Sequence, residues 1–105
     1  MITIHQGDQY AIPFSVKRNN ITQTAQTITR MEILIGSLRK TYPGDIEYYS
    51  ATQQFLFPLM QNESFALEEN TYDVLCRPLY SDGTITGWKS AGTVRVEEME
   101  GAETL

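Results

Sequence analysis

Apolar residues along this chain recur with a period of two and are broken by turn residues, which is the pattern of β-structure. The stretch from Asp45 to Thr93 carries it most clearly. Phe55-Leu56-Phe57 stops at Pro58. Tyr72, Val74, Cys76 and Tyr80 alternate with Asp73 and Arg77, and Ser81-Asp82-Gly83-Thr84 then turns the chain towards Thr86 and Trp88. Alternation sends successive side chains to opposite faces of a sheet, and Asp-Gly between two such runs is a strong hairpin signal.

The rest of the chain reads the same way. Gln6-Gly7-Asp8-Gln9 is a turn, followed by a strand with Tyr10, Ile12, Phe14 and Val16 on one face. Pro13 lacks a ladder donor, which places that strand at an edge or at a bulge. Arg18 to Gln26 is polar and reads as a long connection. From Arg30 to Leu38, Met31, Ile33 and Ile35 share one face while Leu34 and Leu38 take the other. Apolar residues on both faces predict a central strand, or one face meeting another protein. Gly36 within it predicts a bulge or a close backbone approach. Tyr42-Pro43-Gly44-Asp45 is a turn, and Ile46–Ser50 with Gln53–Leu59 forms a hairpin around Ala51-Thr52. Asn62 to Glu69 is the one helical candidate, one or two turns long, with Asn62 as its cap and Glu63 favouring the N-terminal dipole. Gly92 to Met99 is the last strand, with Val94 and Val96 inward.

About seven short strands at this spacing predict two packed sheets. Leu67-x-x-Asn70-x-Tyr72 resembles the corner before a late strand of immunoglobulin-like domains, where a Tyr hydroxyl returns to the backbone a few residues upstream. The expected fold is therefore an all-β, immunoglobulin-like antiparallel β-sandwich with one short helical turn. Cys76 has no partner cysteine and Trp88 follows the hairpin, so antibody-type domains are excluded. The sandwich is expected over residues 1–98, with 99–105 an acidic tail that is frayed or ordered by a partner.

Composition limits the functional classes. With 105 residues, 41% of them hydrophobic and 20% charged, the chain is sized for one globular domain. No apolar run approaches a membrane span, and the N-terminus has no secretory pattern. Net charge is −5, with Glu97, Glu98, Glu100 and Glu103 crowded near the C-terminus, which argues against nucleic acid. The basic pairs Lys17-Arg18 and Arg39-Lys40 read as solvated strand ends or partner contacts. A lone cysteine suits a reducing cytoplasm, and Cys76, in phase with Tyr72 and Val74, is expected to be buried and inert.

Catalytic and metal chemistry find little to work with. His5 is the one histidine and lies 71 positions from Cys76, too few ligands for zinc and no member of a Ser-His-Asp arrangement. Asp45 with Glu47, and Glu68 with Glu69, read as solvated charge rather than paired acids. No phosphate-cradling glycine loop is present. Asn20-Ile21-Thr22 and Asn62-Glu63-Ser64 match the glycosylation pattern, which carries weight only in a secreted protein. The expectation is a non-enzyme without cofactor or metal.

What remains is surface. Tyr42, Tyr48, Tyr49, Phe55 and Phe57 fall within sixteen positions, on both phases of neighbouring strands. They are either core with a few half-exposed tyrosines or an aromatic patch for a partner. Edge strands offer a second route, by accepting a strand from a neighbour.

Several motifs resemble a known group. Gln6-Gly7-Asp8 with Phe14-x-Val16-Lys17, then Glu32-Ile33-x-Ile35-Gly36-Ser37-Leu38-Arg39-Lys40-Thr41-Tyr42, are similar to small proteins from the tail regions of Firmicutes phages and prophages. Phe57-Pro58-Leu59, Glu63-Ser64-Phe65-Ala66-Leu67 and Asp82-Gly83 continue the resemblance, which spans roughly residues 2 to 98. More distantly the chain is similar to the immunoglobulin-like N-terminal domain of phage baseplate upper proteins, though it stops after one domain. The resemblance implies a structural module, made in the host cytoplasm and then carried in the virion. Its implied partners are other tail or baseplate proteins, with homo-oligomers a further option and neither nucleic acid nor membrane involved. It transfers no catalytic residues. The partner surface expected from the residues comprises Tyr42, Tyr48, Tyr49, Phe55 and Trp88. Two other readings stay open: a carbohydrate-binding module with Trp88 and the tyrosines as platform, and a host-directed regulatory protein that uses its acidic tail.

Overall fold

A computed structural model of the chain describes residues 1–98, so the expected tail lies outside the described residues. In chain order the strands are β1 (Ile2–His5), β2 (Tyr10–Phe14), β3 (Lys17–Arg18), β4 (Ile21–Thr22), β5 (Ile28–Ile35), β6 (Leu38–Tyr42), β7 (Glu47–Tyr49) and β8 (Gln54–Leu59). Helix α1 (Gln61–Ala66) precedes β9 (Asn70–Tyr80) and β10 (Lys89–Glu97). A five-stranded sheet, β1-β10-β9-β5-β6, lies against a three-stranded sheet, β2-β8-β7. The sets β5-β9-β10 and β2-β8-β7 match the C-F-G and B-E-D sheets of an immunoglobulin-like sandwich. Neighbouring strands are antiparallel except β1, which runs parallel to β10.

The alternating residues make the core. Ile12, Phe14, Phe55, Phe57 and Leu59 come from the small sheet; Met31, Ile33, Ile35, Val74, Cys76, Tyr80, Val94 and Val96 come from the large one. Pro13 sits on the edge strand β2, where its missing donor costs no ladder bond. Phases are kept by bulges. Register shifts between Ile28 and Arg30, so Ile28 and Met31 both face inward although three positions apart. A second shift, between Ser90 and Thr93, takes in Gly92 at φ +143, a conformation that glycine adopts without a Cβ penalty.

Several expectations about elements change. The run from Arg30 to Leu38 is two strands, because Gly36, at φ +57, forms the hairpin turn with Ser37 between Ile35 and Leu38. The connection after Arg18 holds a small hairpin, β3-β4, closed by Asn19 and Asn20 at φ 53 and 64. Asparagine is among the residues that tolerate two left-handed positions in a tight turn. After Asp82-Gly83 the chain makes a single bridge, Leu79 with Ile85, and does not regain a strand until Lys89. Trp88 therefore belongs to a connection, and β10 begins three residues before Gly92.

The helix starts one residue before Asn62, with Met60 as its cap residue. Glu63 is the reason: its carboxylate accepts the Met60 N–H at 2.9 Å, the backward half of a capping box. Asn62 is an exposed residue of the first turn and caps nothing. Glu63 also pairs with Lys40 of β6 at 2.9 Å. Ser64 Oγ accepts the Gly7 N–H at 2.9 Å, tying the helix to the turn between β1 and β2. Beyond it, Tyr72 Oη donates to Glu68 O at 2.7 Å, closing the corner that the Leu67-x-x-Asn70-x-Tyr72 pattern predicts.

Candidate interaction surface

The structure separates the five expected surface residues. Phe55 is fully buried and is no surface residue at all. It stands at the middle of an aromatic cluster, 5.9 Å from the ring of Phe14 and 4.9 Å from those of Tyr42 and Tyr48. Tyr42, from β6, and Tyr48, from β7, are half-buried and pack inward on that core from opposite sheets. Tyr49 is turned outward and is 54% exposed. Trp88 is 38% exposed, and its ring lies 5.7 Å from the guanidinium of Arg39. Arg39 alternates with the inward-facing Leu38 and Lys40, so Trp88 covers the outer face of the five-stranded sheet. Tyr49 and Trp88 are thus on opposite sides of the sandwich and form no joint platform.

Tyr49 belongs to a different surface, the outer face of the small sheet. Side chains alternating with the buried Ile12, Phe14, Phe55, Phe57 and Leu59 are Ala11, Pro13, Gln54, Leu56 and Pro58. Register aligns them in rows: Ala11 with Pro58, Pro13 with Leu56, Leu56 with Glu47, and Gln54 with Tyr49. Among these outward residues Glu47 is the one charge. At one end the face continues into a shallow groove of about 230 Å³ lined by Gln9, Tyr10, Pro58 and Met60. Tyr10 and Met60 are both exposed there.

An antiparallel sheet that meets water on one side is normally polar on that side. On this face β2 and the far end of β8 present Ala11, Pro13, Leu56 and Pro58, and Gln54, Glu47 and Tyr49 lie together at the β7 end. Sequence reasoning missed the face by attending to aromatics. The signal was the unbroken apolar run Phe55 to Leu59: a strand of a sandwich with one wet face should alternate, and this one does not.

The opposite surface differs in kind. On the outer face of the large sheet Leu34 lies across from Leu75, but Arg30, Glu32, Arg39, Asp73 and Arg77 surround them. Arg39 pairs with Glu32 at 3.1 Å. Arg30 and Arg77 have no ion-pair partner among the described residues, and they flank a groove with Pro78, Leu79 and Ile85.

The groups considered for chemistry are placed as follows. Cys76 is buried, and loss of solvation pushes its thiol up to about 11 against the weaker pull of Lys89. Asp45 accepts from the Thr41 N–H and hydroxyl and so closes a turn, while Glu47 lies outward on β7. Glu69 lies 3.9 Å from Arg95 and accepts the Glu98 N–H. His5 lies 3.9 Å from Asp8 at the surface. Among the described residues there is no cluster of three or more potential metal ligands, and no helix long and apolar enough to cross a membrane.

Comparison with protein-family models, with curated proteins and with solved structures finds no match for this chain.

Proposed function

We propose that the protein is a structural component of a phage or prophage tail or baseplate that works through protein–protein contacts. The observation that carries this reading is the apolar outer face of the small sheet, built from Ala11, Pro13, Leu56, Pro58 and Tyr49 with Glu47 as its one charge. A contiguous apolar surface on a small domain with otherwise mixed polar faces marks a contact site. The resemblance of Gln6-Gly7-Asp8, the Glu32 to Tyr42 stretch and Phe57-Pro58-Leu59 to tail-region proteins supplies the setting. Within it, Tyr49 is the residue of the expected partner set that lies on the contact face.

Quantitative mass spectrometry of purified particles tests the setting, and a Leu56→Lys variant, whose charge lies across from Glu47, tests the face. The expected result is a fixed copy number relative to the tail proteins for the wild type. The variant should fold with a stability loss below about 1 kcal/mol, because its side chain points outward, yet fall at least tenfold in particles. Absence of the wild-type chain from particles, with presence in the infected cytoplasm, would overturn the virion reading. Full incorporation of the variant would overturn the assignment of the face.

A further inference from the structure

We propose that copies of this chain associate head to tail, the acidic end of one copy seating on the arginine-flanked groove of the next. The inference rests on the reading of the chain as a contact protein and assigns a second surface, separate from the small-sheet face.

Charge is divided between the two ends of the long strand β9. At its C-terminal end, Arg30 lies across from Leu79, Arg77 is on β9 itself, and Lys89 lies across from Cys76. Arg18 stacks over the Tyr80 ring at 4.4 Å, and the Lys89 amino group reaches Tyr80 Oη at 3.0 Å and the carbonyl of neighbouring Lys17. Five of the chain's eight cations therefore gather at this end. The acids near them are already engaged: Asp82 by Arg18 at 3.0 Å, and Glu32 by Arg39. Lys17, Arg30, Arg77 and Lys89 have no ion-pair partner among the described residues.

The other end is the reverse. Val96 lies across from Asn70, which brings Glu97 and Glu98 beside Glu68 and Glu69. His5, next to Glu97 across the parallel pairing, carries Asp8 with it. Arg95 is the nearby cation, shared between Glu69 at 3.9 Å and Glu97 at 3.3 Å, and Glu68 and Glu98 have no ion-pair partner among the described residues. The sequence continues acidic with Glu100 and Glu103.

These ends cannot satisfy each other within one copy. From the level of Glu98 to Pro78 is about ten strand residues, or roughly 33 Å. A molecule of net charge −5 repels its copies in most orientations, and the one that sets Glu68 and Glu98 against Arg30 and Arg77 turns repulsion into attraction. The groove also has apolar substance, since Ile85 is 62% exposed beside Leu79 and Pro78. Such a contact uses different surfaces on the two copies, so it propagates into a ring or a filament.

Sedimentation velocity over a concentration series at about 20 mM and about 500 mM salt tests this directly. The wild type should form species larger than a dimer at low salt, and the association should weaken about tenfold or more at high salt. Arg30→Glu with Arg77→Glu should be monomeric, as should Glu68→Lys with Glu98→Lys, every one of these side chains being exposed. Mixed, the first variant's intact acidic end meets the second's intact groove, and the two reversed surfaces complement each other as well, so association into species larger than a dimer should return. A wild type that stays monomeric at low salt would overturn the proposal. So would association that both variants retain, or a mixture that fails to pair. None of these variants touches Leu56 or Tyr49, so these outcomes leave the small-sheet face and its particle test unaffected.

Discussion

Single side chains decide where this sandwich is tight. Tyr72 holds the approach to β9 by donating its hydroxyl to Glu68 O at 2.7 Å, while its ring covers Gly36. A Cβ on Gly36 would fall 3.0 Å from both Leu67 and Tyr72, and φ +57 would strain any other residue there. Tyr72→Phe, which deletes one hydrogen bond and keeps the ring, should cost about 1 kcal/mol in denaturant unfolding. Gly36→Ala adds strain to the clash and should cost at least as much. Equal stability for both variants and the wild type would remove the corner from this account. The corner was legible because its hydroxyl bond spans a fixed few residues, and Leu67-x-x-Asn70-x-Tyr72 states that spacing. Which aromatics face outward was not legible. Tyr48 and Tyr49 are adjacent and chemically identical, and only the register of β7 on β8, Tyr48 with Phe55 and Tyr49 with Gln54, separates them. Tyr49→Ser is consequently a surface change, whereas Tyr48→Ser removes a ring from the core.

Elements inherit their limits from such local contacts. Helix α1 is too short to be stable by itself and is held by its attachments: Glu63 to Met60 and Lys40, and Ser64 to Gly7. Burial raises the Glu63 pKa, but the Met60 N–H and the Lys40 ammonium outweigh it and hold the carboxyl below its ordinary 4.5. A depressed folded pKa contributes stability above the unfolded value and loses it as pH falls through the folded one. Glu63→Gln should therefore destabilise by about 1–2 kcal/mol at pH 7, and the difference should fade as pH drops below 4.5. Thermal unfolding of both proteins from pH 7 to pH 3 measures it; a gap that persists unchanged at pH 3 would contradict the assignment. Strand identity was readable from period-two alternation, but strand ends were not. Gly36 and Gly92 look alike in sequence, yet one makes a hairpin and the other a bulge, because the choice depends on partner strands far along the chain. The β3-β4 hairpin was hidden for a related reason: two strands of two residues leave no alternation to read.

The whole molecule presents three unlike surfaces on one core: a largely apolar sheet face, a groove flanked by arginines that have no ion-pair partner among the described residues, and an acidic end. No single sequence window contains the whole of any of them. The apolar face draws Ala11 and Pro13 from one strand, Leu56 and Pro58 from another and Tyr49 from a third, and topology alone brings them together. The charge division arises in the same way, from antiparallel pairing that sets the end of β10 beside the start of β9. Under the proposed function, the small-sheet face is covered in the assembled state. Hydroxyl-radical footprinting of the free chain and of the chain in purified particles tests it most directly. Tyr49, Leu56 and Met60 should be labelled in the free chain and protected in particles, while Ile21, 66% exposed at the β3-β4 tip, should label equally in both. Equal labelling of Tyr49, Leu56 and Met60 in the two states would contradict the account.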